Sequence, residues 1–177
     1  MKISDLKIKK IALIGPESTG KSTLCEMLAS HFETVWVPEM ARQYIGSLDR
    51  KYTLDDIEYC TKAQLNEETE LAKKANRFLF CDSEMIIAKV WCEDVFKISP
   101  AWIEEKINTN LYSLHLLMKP DIPFEHDTVR ENPHRREFFF NWYKRELDER
   151  GFPYEVIGGN GEERFRNSIA AINKHFD

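Results

Sequence analysis

Five short apolar segments recur along the chain and alternate with stretches of helical spacing. The segments are IALIG at 11–15, VWVPE at 35–39, RFLFCD at 77–82, LHLLM at 114–118 and YEVIG at 154–158. Short, nearly continuous apolar runs are typical of strands that are buried on both faces of a parallel sheet. Their alternation with helices therefore predicts an α/β fold, with one five-stranded parallel sheet and helices on both of its faces.

Helical spacing gathers two groups of apolar residues on one face each. The groups are Leu24, Leu28 and Phe32, and then Phe165, Ile169, Ile172 and Phe176. Both faces are expected to pack on the sheet. Thr53 and Asp56 have the spacing of a helix-capping box, and Gly151 stands where a helix is expected to end.

Length and charge narrow the classes of function. A chain of 177 residues has the size of one domain, so we predict a single domain over 1–177. The net charge of −5 argues against a broad nucleic-acid or anionic-membrane surface, because such surfaces need an excess of Lys and Arg. The mixed charges at 66–74 predict a solvated helix surface. Oligomeric state is left open, and a homo-oligomer is one option.

The sequence shows no membrane-span or signal-peptide pattern and no metal-binding or redox spacing of its cysteines. No window holds the roughly 20 apolar residues of a membrane span, and the charged start MKISDLKIKK has no apolar stretch after it, so we expect a cytoplasmic protein. Cys25, Cys60, Cys81 and Cys92 have no metal-ligand or redox spacing. We predict reduced, buried or half-buried thiols.

The segment GPESTGKS at 15–22 carries the clearest chemistry. It matches G-x-x-x-x-G-K-[ST] at every position and lies between an apolar strand and an amphipathic helix, which is the context of a P-loop. Its backbone N–H groups and the following helix start suit a polyphosphate. The predicted ATP-binding residues are Gly15, Pro16, Glu17, Ser18, Thr19, Gly20, Lys21, Ser22 and Thr23.

Two carboxylates follow apolar strands and are candidates for a role in phosphoryl transfer. Lys21 is expected to reach the β- and γ-phosphates, and the Ser22 hydroxyl to ligate Mg²⁺. Asp82 closes the run FLFC and is the expected second magnesium partner, with a helix N-cap as the alternative. Glu39 and Arg42 follow the second strand, where open α/β sheets bind ligands. Glu39 is expected to hold or deprotonate an acceptor hydroxyl and Arg42 to orient a substrate or a phosphate, with a surface salt bridge as the alternative for each.

A long polar segment at 119–137 predicts a lid. It contains Arg130, Arg135 and Arg136, and guanidinium groups over a γ-phosphate are what a phosphoryl-transfer transition state needs. Some of these arginines could instead begin the next helix. Gly159, in the segment GGNGEE, is a candidate near the adenine, with an ordinary strand-to-helix turn as the alternative.

These segments together resemble a known family. GPESTGKSTL, VPEMAR, FCDSE followed by KVW, and LLMKPDIPFEHDTVRENPHRR are similar to the ribosylnicotinamide kinase domains of NadR-type proteins, within the P-loop kinases. The resemblance runs across nearly the whole chain. The chain has neither a DNA-binding region nor the HxGH-type motif of an adenylyltransferase, so the resemblance concerns the kinase domain alone.

The resemblance implies transfer of the γ-phosphate of ATP to the 5′-hydroxyl of nicotinamide riboside. It also implies that Lys21 and Ser22 hold ATP and Mg²⁺, that Asp82 and Glu39 face the transferred group, and that the lid arginines surround the phosphates. Trp91 is a candidate to stack on the cationic nicotinamide ring, with a core tryptophan as the alternative. A kinase for another nucleoside or small alcohol, and a regulatory AAA-type ATPase or nucleotide-dependent binding module, are the other hypotheses.

Overall fold

The computed structural model describes residues 7–126 and 130–177. Strands and helices alternate along the described chain. The strands are β1 (Lys9–Ile14), β2 (Trp36–Val37), β3 (Phe78–Asp82), β4 (Leu114–Met118) and β5 (Tyr154–Ile157). The helices are α1 (Lys21–His31), α2 (Met40–Gly46), α3 (Leu54–Ala72), α4 (Met85–Phe96), α5 (Ala101–Asn108), α6 (Arg136–Arg150) and α7 (Glu162–Phe176).

The five strands form one parallel sheet in the order β2-β3-β1-β4-β5. The predicted sheet is confirmed, and each predicted apolar segment contributes a strand. Strand β2 is shorter than predicted, because Pro38 has no N–H to donate to a ladder and Glu39 already caps α2. All five carboxyl ends meet at one edge of the sheet, where ligands bind in folds of this type.

Apolar side chains cover both faces of the sheet. The two predicted helical faces, on α1 and α7, pack on one side against Ile11, Phe78 and Leu116. On the other side, α4, α5 and α6 pack against Ile14 and Leu117. The sheet is therefore covered by helices on both of its faces.

The interior also holds groups that sequence patterning treats as surface. Glu68 was expected in the solvated run at 66–74, but it is fully buried, where it accepts hydrogen bonds from Lys10 Nζ (3.0 Å) and Tyr112 OH (2.7 Å). The reason is helical spacing, because residues 56, 60, 64 and 68 form one stripe of α3 that faces inward. The four cysteines are free and buried, as predicted.

Two local predictions about helix ends are confirmed. The capping box at the start of α3 is formed: the Asp56 amide donates to Thr53 Oγ1 and the Thr53 amide donates to Asp56 Oδ2. Gly151 ends α6 in the left-handed conformation. Among the described residues, no helix is both long and apolar enough to cross a membrane.

Candidate active site

The loop between β1 and α1 has the form of a phosphate cradle. At Gly15 an added Cβ would lie 2.9 Å from Met118 Cβ and 3.0 Å from Met118 O, so only glycine lets β1 turn this close to β4. Gly20 has φ 78° and is the N-cap of α1, which leaves the helix start open toward the loop. A helix N-terminus beside a curled backbone is a site for an anion.

The side chains of this loop divide into those that face inward and those that face the cleft. The Thr19 hydroxyl is buried and donates to Pro16 O (2.9 Å), so it holds the loop's own shape. Lys21 Nζ donates to Gly15 O (2.9 Å) and Pro16 O (3.0 Å), which folds the ammonium over the loop. Thr23 is exposed on the first turn of α1. The predicted ATP-binding residues thus line one continuous surface of a cleft of about 1560 Å³.

Asp82 lies at the end of β3 directly beside this loop. It is fully buried, and Ser22 Oγ donates to its Oδ2 (2.5 Å), while its Oδ1 has no hydrogen-bond partner among the described residues. The N-cap of α4 is Glu84, so Asp82 is not the cap that the alternative interpretation required. A buried carboxylate oxygen without a partner, next to a serine hydroxyl, is a donor set that fits Mg²⁺.

Magnesium in phosphate sites takes few protein ligands and completes its shell with phosphate oxygens and water. The described residues contain no group of three or more His, Cys, Asp or Glu side chains that could hold a metal by themselves. A magnesium ion at Ser22 and Asp82 would therefore belong with a bound nucleotide, not with a protein cage.

Glu39 faces the same part of the cleft from the start of α2. Its side chain makes no capping bond, so its carboxyl is available to the cleft. Burial raises the pKa of Glu39, and the neighbouring Asp82 raises it further, whereas Lys21 and Arg42 oppose the rise. Burial also raises the pKa of Asp82, again against Lys21. Two neighbouring carboxyls that both feel the same two cations are suited to share protons and to face a developing charge.

Gln64, on α3, connects the segments that carry these two carboxyls. Its Oε1 accepts from the Met40 N–H (3.0 Å), one residue after Glu39, and its Nε2 donates to the Asp82 carbonyl oxygen (3.3 Å). The side chain is buried, so both bonds are shielded from water. Gln64 thereby fixes the start of α2 relative to the end of β3.

Aromatic side chains line the part of the cleft beyond Glu39. Trp91 of α4 donates from Nε1 to Tyr52 OH (3.1 Å), and the two rings meet edge to face at 5.1 Å. Trp91 is half-buried and lines the cleft, so it is not a simple core residue. Phe139 and Tyr143 of α6 lie on the facing wall. Together these residues offer flat apolar surfaces and the Tyr52 hydroxyl to a ring-containing ligand.

The predicted lid lies across the P-loop. Its residues 127–129 fall outside the described residues. On the lid side, the amides of Glu131 and Asn132 donate to Glu17 Oε2 (3.1 and 3.0 Å), and the Glu125 amide donates to Ser18 Oγ (2.8 Å). Glu17 and Ser18 were predicted to bind nucleotide, and here their side chains tie the lid to the loop.

The three lid arginines have different surroundings. Arg136 donates to Ser18 O and Ile122 O (2.9 Å each), so it joins P-loop and lid. Arg130 lines the cleft and donates to Glu125 O (2.5 Å). Arg135 forms a bidentate pair with Asp94 of α4 (2.6 and 2.8 Å) and lies over the Phe139 ring. Of the three, only Arg130 lines the cleft, and the catalytic roles of all three stay predictions.

The start of α7 closes the far side of the P-loop through Arg164. This residue is buried and donates to Thr19 O (2.9 Å), to Gly159 O (2.7 Å) and to the Asp121 carboxylate. Gly159 also donates its N–H to Asp121 Oδ2 (2.9 Å). Both backbone groups of Gly159 are therefore engaged within the protein, and its neighbours Asn160 and Gly161 line the cleft instead.

A family model described as an AAA domain matches residues 10–164. The chain belongs to this AAA domain family. The match spans the P-loop, both candidate carboxylates, the lid and Arg164, so the family membership covers the whole candidate site.

Several proteins are similar to this chain in sequence or in fold. The trifunctional NAD biosynthesis/regulator protein NadR of Salmonella typhimurium is 24% identical over 127 residues, which are 70% of this chain and 31% of that protein. A structure of NadR in complex with NR has a TM-score of 0.76 at 21% identity and covers 95% of this chain and 51% of that one. The chain thus spans a third to a half of these relatives.

A second solved structure is matched along its whole length. The deoxyadenosine kinase of M. mycoides, with dCMP and dCDP bound, has a TM-score of 0.65 at 14% identity and covers 93% of this chain and 99% of that one. The predicted P-loop kinase fold is confirmed by these likenesses.

Sequence reasoning missed three residues of the AAA domain's site. Gln64 and Arg164 are polar residues inside helical segments, and only the tertiary structure brings them to the P-loop and the carboxylates. Tyr52 precedes the capping box of α3 and gave no signal beyond its aromatic side chain. Arg164 alone left a trace, because a basic residue in the first turn of a helix is unfavourable unless another contact compensates.

Proposed function

We propose that this protein is an ATP-dependent kinase that phosphorylates the 5′-hydroxyl of nicotinamide riboside and releases nicotinamide mononucleotide and ADP. The observation that carries the proposal is the meeting of three features in one cleft: a P-loop, the buried Asp82 with the half-buried Glu39, and a set of aromatic side chains. We further propose that residues 1–177 act as one domain in the cytoplasm, with the riboside as its small-molecule partner.

The donor end suits ATP. The P-loop amides and the start of α1 would receive the β- and γ-phosphates, and Lys21 would exchange its bonds to Gly15 O and Pro16 O for phosphate oxygens. Ser22 and Asp82 would hold Mg²⁺, which supplies charge neutralisation on the phosphate oxygens when it is bound. Arg136 and Arg130 would keep the lid over the phosphates, which excludes water from the transfer.

The acceptor end suits a sugar hydroxyl that carries a flat cationic ring. Glu39 lies beside Asp82 and has a raised pKa, so it is prepared to accept a hydrogen bond from the hydroxyl and to take its proton late in the transfer. Because phosphoryl transfer through a loose transition state depends mostly on alignment, positioning by Glu39 is the larger contribution. The faces of Trp91 and Tyr52 suit a pyridinium ring.

The comparisons support this choice of acceptor. The similar NadR structure has NR bound, and the similar deoxyadenosine kinase carries nucleotides. The second likeness also supports the runner-up, a kinase for another nucleoside. We rank it second because the aromatic pair beside a carboxyl-rich cleft favours a cationic ring over a neutral base.

The proposal is tested by measuring mononucleotide formation and ATP consumption together, with ATP, Mg²⁺ and nicotinamide riboside. We expect one mononucleotide per ATP consumed, and ATP hydrolysis without the riboside to be slower. Asp82→Asn is the matched negative control, because it keeps the shape of the side chain and removes the charge. Equal ATP turnover with and without riboside would support the regulatory ATPase instead.

A thermal-shift panel would separate the two kinase hypotheses. Each of several ribosides and deoxyribosides is added with a non-hydrolysable ATP analogue, because a ligand that binds the native state raises Tm. Nicotinamide riboside is expected to give the largest shift. A larger shift with a purine or pyrimidine nucleoside would favour the runner-up.

A further inference from the structure

The residue between the two carboxyl-bearing positions 82 and 84 has an unusual backbone. Ser83 has φ 73°, in the left-handed region that glycine adopts without cost and that other residues rarely adopt. Its amide donates to Leu13 O (3.2 Å) of β1, so the turn that leads from β3 into α4 is held in this conformation. A serine here stores backbone strain that a glycine would not store.

The Ser83 side chain adds a second cost. Ser83 is 8% exposed, and its hydroxyl has no hydrogen-bond partner among the described residues. A buried hydroxyl without a partner is unfavourable by itself. Glycine at this position would therefore remove both the strain and the unpaired hydroxyl, and the protein carries serine instead.

The surroundings of the hydroxyl indicate what it serves. Ser83 is one of the residues that line the cleft. It lies next to Asp82 in the chain, and its hydroxyl is directed toward the Glu39 carboxyl and opposes the rise in the pKa of that group, although the geometry falls short of a formed hydrogen bond. A polar atom that is buried, unpaired and directed into a ligand cleft is satisfied when the ligand arrives.

The other described left-handed residues that are not glycine make the contrast clear. Glu33, Arg77, Lys97 and Asn110 are exposed and lie outside the strands and helices. Ser18 lies in the P-loop, but its hydroxyl accepts a hydrogen bond from the Glu125 amide. Within residues 7–126 and 130–177, Ser83 alone combines this backbone with a buried, unpaired hydroxyl in the cleft.

We propose that the Ser83 hydroxyl contacts the reacting hydroxyl of the acceptor, opposite Glu39. This inference rests on the proposed kinase function. The acceptor oxygen forms a bond to the γ-phosphorus of ATP, the bond from that phosphorus to the β–γ bridging oxygen breaks with its electron pair on ADP, and the acceptor proton passes to Glu39. Ser83 donates to a lone pair of the acceptor oxygen that is not attacking, and so directs the attacking lone pair at phosphorus.

Two Ser83 variants and one control test the contact. Ser83→Gly removes the hydroxyl and the strain, and Ser83→Ala removes the hydroxyl but keeps the strain. Glu33→Gly is the matched control, because it relieves a left-handed residue in an exposed turn after α1. Stability is measured as Tm, and steady-state kinetics give kcat and KM for the acceptor and for ATP.

For Ser83→Gly we expect Tm to be unchanged or higher, and kcat/KM for the acceptor to fall on the order of tenfold, the usual effect of one lost hydrogen bond to a substrate. KM for ATP should stay within about twofold, because the P-loop is untouched. Ser83→Ala should show the same loss of kcat/KM, with a Tm below that of Ser83→Gly because the backbone strain remains. Glu33→Gly should gain or keep Tm with full activity.

Two outcomes contradict the proposal in different ways. If the wild-type protein transfers phosphate to an acceptor and Ser83→Gly does so with undiminished kcat/KM, the Ser83 contact is wrong and the kinase function stands. If the wild-type protein transfers phosphate to no riboside in the panel, the kinase function fails and the Ser83 proposal fails with it.

Discussion

The donor end of the cleft is built mainly by one continuous loop, residues 15–22, whereas the acceptor end takes Glu39, Tyr52 and Trp91 from separate parts of the chain. The loop's ligand-facing groups are mostly backbone amides, and its shape is kept by local contacts such as Thr19 to Pro16. The acceptor end depends on long-range contacts such as Gln64 to Met40 and Asp82. On the proposed function, phosphate binding would be a local property of this chain and acceptor recognition a property of the whole fold.

The largest effect is expected at the donor end, from Lys21→Ala. Lys21 is the cation of the loop that is proposed to meet the transferred phosphate, so its loss should lower kcat about a hundred- to a thousandfold, the cost of removing one preorganised donor. Tm should change little, because Lys21 bonds only to loop carbonyls and is half-buried. The measurement is kcat for ATP-dependent transfer, with Tm as the control for folding.

A large fall in Tm for Lys21→Ala, together with the loss of activity, would contradict the prediction that the donor end is a local structure. It would mean that Lys21 holds the loop together and that the donor end is not self-sufficient.

The next effect concerns Arg136 and Arg135, which are adjacent in sequence and contact different elements. Arg136→Ala removes the bonds from the lid to Ser18 O and Ile122 O, and we expect kcat to fall about ten- to a hundredfold as the lid loses its tie to the P-loop. Arg135→Ala removes a partly exposed pair with Asp94, worth about 1 kcal/mol or less, and should change kcat by less than about threefold.

Parallel kinetics on the two variants decide the matter. A larger kcat loss for Arg135→Ala than for Arg136→Ala would mean that Arg135 leaves Asp94 and reaches the phosphates during turnover, as its sequence position suggested.

A smaller effect is expected from Gln64→Leu, which tests whether the acceptor end depends on α3. The substitution keeps the volume of the side chain and removes both bonds, so Glu39 and Asp82 lose their common tether. We expect kcat/KM for the acceptor to fall on the order of tenfold while KM for ATP changes little. Thr61→Val is the control, because Thr61 is also buried on α3 and its hydroxyl donates only to Ile57 O of its own helix (2.7 Å).

Gln64→Glu sharpens the same comparison. The carboxylate can still accept from the Met40 amide but repels the Asp82 carbonyl oxygen, so activity should improve as pH falls and the new carboxyl becomes protonated. Equal activity of Gln64→Leu and Thr61→Val would show that the two carboxyls keep their places without this residue.

Local features of this protein could be predicted from its sequence, whereas features that depend on long-range contacts could not. Strand and helix faces were legible because burial repeats at fixed periods, and the P-loop was legible because its chemistry lies in consecutive residues. Glu68 was misassigned to the surface, because mixed charges obscured the inward stripe of α3. Gln64 and Ser83 gave no sequence signal and Arg164 only a weak one, since a buried hydrogen bond or a left-handed backbone depends on partners that are distant in sequence.

The lid was only partly predictable from the sequence. Its arginines were visible as a cluster, and the resemblance to NadR-type kinases gave them a role. Which carbonyl or carboxylate each guanidinium meets depends on the path of the chain between β4 and α6, and that path has no periodic signal.

The smallest effect on turnover, and a distinct one on stability, is expected from Glu84→Gln. Burial raises the pKa of Glu84 to about 8, and Glu68 raises it further, whereas the amides of Ile86 and Met85 and the charge of Arg150 oppose the rise. The folded protein therefore keeps a proton that the unfolded chain releases above its ordinary pKa near 4.5. The contribution of this carboxyl to stability is complete below about pH 4.5 and is lost as pH rises through about 8.

Glutamine has no proton to lose, so the free energy of unfolding of the variant should match that of the wild type at pH 5. At pH 8.5 it should exceed the wild-type value by on the order of 3 kcal/mol, or roughly 5–10 °C in Tm. Glu105→Gln, an exposed change of the same charge on α5, controls for net charge. Tm curves for Glu84→Gln and the wild type that stay parallel from pH 5 to 8.5 would mean that Glu84 is ionised in the folded protein and adds one more negative charge behind the acceptor end.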